Sequence, residues 1–131
     1  MGARMPKWNL LGLAIAGLAL FGAGVLTGAG AFQRPKTVIE VVSIKWTADA
    51  APELRRAALE SVETMAGKIP GVRNIWLRTL RVQPRDFMTA YAIEFDDQAA
   101  AERFARHPAR EAWTKTYLPM IEESRIQQVT N

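Results

Sequence analysis

The chain has 131 residues, 49% of them hydrophobic and 23% charged, with a formal net charge of +4, one His and no Cys. Without Cys there is no disulfide, no thiol nucleophile, no cysteine-ligated metal and no lipoprotein anchor. Two of the 17 basic residues, Arg4 and Lys7, lie in the first 33 positions, where no acid occurs; the others nearly balance the 13 acidic residues, so the charge does not point to nucleic acid.

The N-terminal segment, residues 1–33, is uncharged from Trp8 onward. Its apolar centre, residues 10–26, suits a hydrophobic helix. The uncharged stretch as a whole is long enough to cross a hydrocarbon core, which needs roughly 20 residues. The apolar centre is also longer than the apolar core of about 7–15 residues usual in a signal peptide. Against this, Ala29-Gly30-Ala31 has the small-x-small pattern of a signal-peptidase site. Two readings stay open: an uncleaved anchor through residues 8–32, or a cleaved signal peptide. In either, Arg4 and Lys7 hold the N-terminus in the cytoplasm. The domain is then expected at the cell membrane, outside the cytoplasm, or periplasmic or secreted if the leader is removed. Arg34 and Lys36 on the far side pull against that orientation. Gly24 and Gly28 have the spacing of a helix-dimer face but read first as ordinary leader glycines.

About 98 residues remain after the leader, enough for one small core. Residues 34–37 form a short linker with Pro35. Val38–Trp46 is rich in β-branched residues and is predicted to be a strand. Pro52 opens a helix at a position where its missing N–H matters little. Leu54, Ala58, Val62, Met65 and Ile69 share one face of that helix, and Pro70-Gly71 stops it. A second strand is expected over residues 72–82, a turn around Pro84, and a third strand over 87–95. A helix follows over 99–106 with Asp97 as N-cap. Another runs over 109–117 and ends at Pro119, and a last strand covers 121–129. The order β-α-β-β-α-β is the ferredoxin-like α+β pattern with an antiparallel four-stranded sheet.

The strands alternate, but both of their faces are apolar. Val38, Val42, Ile44 and Trp46 share one face of the first strand, with Ile39 and Val41 opposite. Trp76, Leu80 and Val82 oppose Ile75 and Leu77. Met88, Ala90 and Ala92 oppose Phe87, Tyr91, Ile93 and Phe95. A sheet covered by helices on one side should be polar on its free side. A second copy packed sheet to sheet resolves the conflict, so a homodimer is expected. The rival covers are another protein or the membrane surface.

Four pieces of sequence carry a family resemblance: VIEVVSIKW at Val38–Trp46, KIPGV at 68–72, YAIEFDD at 91–97 and HPAREAW at 107–113. Together they resemble the stress-responsive A/B barrel (Dabb) family over residues 38–129. The resemblance implies a dimeric α/β barrel of two ferredoxin-like subunits, each with a pocket between sheet and helices. Some members resemble polyketide cyclases that work without metal or cofactor. Those cyclases use a His base, a neighbouring Tyr and a second His. At the matching positions this chain has Arg110, Phe104 and Glu40. Only His107 keeps the family's residue type. Arg110 stays charged and cannot act as a base, and Phe104 has no hydroxyl.

The resemblance thus implies a candidate pocket of Glu40, Val42, Ile44, Phe104, His107 and Arg110, with no catalytic residue, metal or cofactor assigned. Glu40 interrupts the helix-facing row of its strand, where an unpartnered carboxylate is costly. An ion pair with Arg110 is expected, and a pocket-mouth Glu that meets water is the alternative. His107 is a base or haem ligand on one reading and a capping or packing residue on the plainer one. Asp96-Asp97 and Glu122-Glu123 are adjacent pairs whose side chains diverge on a strand, so neither suggests a metal site. Arg73, Arg78, Arg81 and Arg85 read as a solvated edge before they read as a lipid contact. Trp46, Trp76 and Trp113 suit core or interface packing, with a pocket role as the alternative.

Two functions fit. The first is a non-catalytic, exported or membrane-tethered dimer that binds a small apolar, aromatic or anionic ligand, or a protein partner. The second is a cofactor-independent enzyme, cyclase-like or monooxygenase-like, with Glu40 or His107 as base.

Overall fold

The computed structural model describes residue 2 and residues 30–131. The expected apolar helix and its Gly24/Gly28 face lie outside the described residues. Among the described residues no helix is long and apolar enough to cross a membrane. Residues Arg34–Asn131 form a compact unit of their own.

β1 (Val38–Trp46) alternates strictly, its odd-sided residues half-buried and Val38, Glu40, Val42, Ile44 and Trp46 buried. That alternation places one row of side chains under the helices. The helix α1 (Pro52–Ala66) follows, then β2 (Val72–Trp76), β3 (Thr89–Phe95), α2 (Gln98–Arg106), α3 (Pro108–Tyr117), a 3₁₀ turn (Leu118–Met120) and β4 (Ile121–Val129). The sheet order is β2-β3-β1-β4 and all pairings are antiparallel. This is the ferredoxin-like α+β arrangement, with the N-terminal strand central and the C-terminal strand at an edge.

Local chemistry sets the helix boundaries. Asp97 caps α2, its side chain accepting from Ala100 N at 2.7 Å. Arg103 and Arg106 lie in the last turn, where cations favour the helix dipole. Pro108 begins α3. The core joins Ala58, Val62 and Met65 of α1 and Ala100, Ala101 and Phe104 of α2 to the buried rows of β1 and β3. Phe95 and Phe104 anchor it, their rings 5.0 Å apart. Fully burying one such side chain contributes about 1.5–3 kcal/mol.

The elements depart from the expectations in three places. α1 ends at Ala66, and Gly67 N and Ile69 N close the following turn onto Glu63 O and Ala66 O. Ile69 is still buried, but Leu54, in the first turn, is 50% exposed. β2 stops at Trp76 rather than running to residue 82. In place of a longer ladder, Thr79 Oγ1 donates to Ala90 O and accepts from Ala90 N, both at 2.9 Å. A single hydroxyl thus makes the two bonds that a facing strand residue would make. Consequently β3 begins at Thr89, although Phe87 is buried ahead of it.

Gly71 joins α1 to β2 with φ of +95°, and a Cβ there would lie 2.7 Å from Ala100 Cβ. Both the turn and the close passage of α2 therefore require glycine. The outer face of the sheet keeps its apolar residues in the open. Leu80 is 84% exposed and Trp76 half exposed near Val41, Ala90 and Ala92, whereas Met88, ahead of β3, turns its sulfur to Arg55 of α1 at 3.9 Å instead of sharing the outward row expected with Ala90 and Ala92.

Candidate functional site

The site lies where α3 crosses the helix-facing side of the sheet. Trp113 fixes that helix, its Nε1 donating to Ser61 Oγ at 2.8 Å and Ala58 O at 3.3 Å on α1. Its ring meets Tyr91 edge-on with centroids 6.3 Å apart, and Tyr117 at 5.2 Å. Tyr91 rises from β3 as the register partner of Val42, and Val42 faces Ile126 on the other side. Beneath α3 this arrangement leaves a cavity of about 80 Å³. Its walls are Val42 and Ile44 from β1, Tyr91 from β3, Arg110, Trp113 and Thr114 from α3, and Leu118, Ile121, Ser124 and Ile126. Leu118 and Ile126 are half exposed, so the cavity opens beside β4.

The expected pocket residues divide. Val42, Ile44 and Arg110 line the cavity. Glu40 sits on the same side of β1, 5% exposed, one register step from Val42. Phe104 is buried against Phe95 and supports Arg110, whose guanidinium carbon is 6.0 Å from the Phe104 ring centroid. His107 is elsewhere. It ends α2 and caps α3, its Nδ1 accepting from Ala109 N at 3.1 Å. It lines a separate surface cleft with Glu102, Arg103 and Arg106. The capping reading of His107 is the one observed.

The expected Glu40–Arg110 ion pair does not form. Glu40 Oε2 instead accepts from Gln128 Nε2 at 2.7 Å. The reason lies in the sheet: Gln128 is the register partner of Glu40 on β4. Directly opposed residues have Cβ atoms about 4.5–5.5 Å apart, within reach of an amide. Arg110 lies over the Phe104 ring, its guanidinium carbon 6.0 Å from the centroid, and lines the cavity wall.

Tyr91 was readable from strand alternation as an inward residue, but its place in the pocket was not. Burial, reinforced by the charge of Glu40 and partly offset by Arg110, pushes its phenol up to about 12. At neutral pH it is a hydrogen-bond donor, not a base. The four arginines at positions 73, 78, 81 and 85 are all exposed, and Arg73 Nε meets Asp96 Oδ1 at 3.1 Å. The tryptophans have three separate fates: Trp46 is core, donating to Thr89 Oγ1 at 2.7 Å, Trp76 is on the outer face, and Trp113 lines the cavity.

Residues 39–130 match the family model of the Stress responsive A/B Barrel Domain. The chain belongs to the Dabb family. No curated protein matches it. Among solved structures, this Dabb chain is similar to a Dabb family protein with a ferredoxin-like fold from Mesorhizobium loti, with a TM-score of 0.62 and 21% identity over 72% of this chain and 96% of that one. It is similar to a dimeric protein of unknown function with a ferredoxin-like fold from Bacteroides fragilis, with a TM-score of 0.61 and 22% identity over 77% and 100% of the two chains. SnoaB, a cofactor-independent oxygenase from Streptomyces nogalater, aligns with a TM-score of 0.58 and 18% identity over 73% and 93%. At these identities the likeness is one of fold.

Proposed function

We propose that this Dabb protein is a homodimer, held at the outer side of the cytoplasmic membrane or released from it, that binds a small apolar or aromatic ligand without transforming it. The observation that carries the reading is what the cavity lacks. None of its lining side chains can accept a proton near neutral pH. Arg110 stays charged, the Tyr91 phenol holds its proton, His107 caps α3 away from the cavity, and Glu40 is engaged by Gln128. The exposed outer-face residues Trp76 and Leu80 support a second copy there, as does the dimeric state of the Bacteroides fragilis relative. The uncharged stretch that follows Lys7 supports the placement at a membrane.

The test is a titration of the full chain with toluene and with benzoate. One saturable site per protomer is expected, with the probe recovered chemically unchanged. Ile126→Trp should fill the cavity and abolish binding. Binding that survives Ile126→Trp would overturn the location. Intact mass of protein recovered from membrane and soluble fractions decides between anchor and cleaved leader.

A second reading rests on Glu40. A buried carboxylate beside Tyr91 is the one group positioned to act as a base if Gln128 moves aside, which supports a cofactor-independent enzyme. Turnover that disappears in a folded Glu40→Gln variant would establish it.

A further inference from the structure

We infer that the cavity beneath α3 selects small monocarboxylates with a short aliphatic or single-ring body, and that Arg110 is the residue that recognises the carboxylate. This rests on the ligand-binding reading above and specifies its ligand class. Among the described residues that line the cavity, Arg110 is the sole formally charged one, and no acid is among them. The other polar side chains are hydroxyls, from Tyr91, Thr114 and Ser124. A cation among hydroxyl donors and apolar walls suits an anion with a greasy body.

The guanidinium is available for that task. It forms no ion pair with the described acids, and its support is the Phe104 ring behind it. At 6.0 Å the ring contact is a loose cation–aromatic one that leaves the guanidinium N–H groups free for a carboxylate. Glu40, the buried carboxylate on the same side of β1, is held by Gln128 and does not line the cavity. The volume of about 80 Å³ is below the roughly 150 Å³ of a cavity that takes in benzene. A short branched chain or a ring therefore enters only in part, through the opening beside β4. Tyr91 supplies a second donor from the opposite wall. Its phenol stays protonated through the neutral range.

The experiment is calorimetric titration of the full chain with isovalerate and benzoate, each against its neutral amide, isovaleramide and benzamide. The carboxylates should bind at least tenfold tighter than the amides. Arg110→Gln should reduce that preference to less than about twofold, and Tyr91→Phe should weaken carboxylates a few fold. Circular dichroism and the melting temperature of each variant confirm folding. Equal affinity for acid and amide in the wild-type protein would overturn the carboxylate preference and leave the ligand-binding reading standing. A preference that persists in Arg110→Gln would overturn the role of Arg110. If no acid or amide binds, the carboxylate site is overturned, and the toluene titration alone decides the ligand-binding reading.

Discussion

Glu40 on β1 and Gln128 on β4 face each other across the sheet, and the Gln128 amide nitrogen donates to Glu40 Oε2 at 2.7 Å. The carboxylate is buried on the helix-facing side, and its partner comes from an exposed edge strand. Gln128→Ala should therefore lower stability by about 1–3 kcal/mol, the cost of leaving a buried acceptor without its donor. Arg110→Ala should cost less than about 1 kcal/mol, because it removes a cation–aromatic contact rather than a buried ion pair. Urea unfolding of the two variants ranks them. The reverse order would mean that Arg110 reaches Glu40 in solution.

Tyr91 makes stability fall in alkali. Its phenol ionises near the ordinary 10.0 in the unfolded chain and near 12 in the fold, chiefly because it is buried. Between those values the unfolded chain has released a proton that the fold retains, so unfolding gains as pH rises. The contribution, on the order of 3 kcal/mol, is complete below pH 10 and gone above pH 12. Stability measured at pH 9, 10 and 11 should decline more steeply in the wild-type protein than in Tyr91→Phe. Parallel curves would show that the phenol titrates normally.

Gly71→Ala should destabilise by about 1–3 kcal/mol or more, since the backbone is left-handed there and the new methyl meets Ala100. Thermal melts read this directly. An unchanged midpoint would mean that α2 retreats easily from the β2 entry.

The outer face offers a test of assembly. Leu80→Asp and Trp76→Lys place charges where the sheet is apolar and open. Each should raise the dimer dissociation constant at least about tenfold, the effect of losing 1.4 kcal/mol. Sedimentation velocity across a dilution series measures it. A wild-type protein that sediments as a single copy at high concentration would remove the dimer altogether.

Alternation and caps made much of the fold legible in the sequence. The buried row of β1, the inward side of β3 and the Asp97 cap all follow from spacing and residue type, because the physics that fixes them is local. The end of β2 was not legible. Residues 77–82 continue the strand pattern, and only the tertiary position of Thr79 opposite Ala90 decides where the ladder stops. The site failed in the same way. Spacing places Glu40 inward but cannot choose between Gln128, 88 positions away, and a helix residue. Family correspondence grouped His107 with Arg110, yet the junction between α2 and α3 turns the imidazole onto Ala109. Tyr91 and Trp113 join the pocket only once α3 is docked through Ser61.

The Thr79 hydroxyl has a consequence for isotope exchange. One rotatable group, not a run of main-chain partners, shields the Ala90 amide on that side. Deuterium uptake at residue 90 should thus follow brief excursions of the 77–88 segment, while uptake at Ala92 and Ile93 waits for the whole layer to open. Thr79→Val would speed labelling at that single position and leave its neighbours slow.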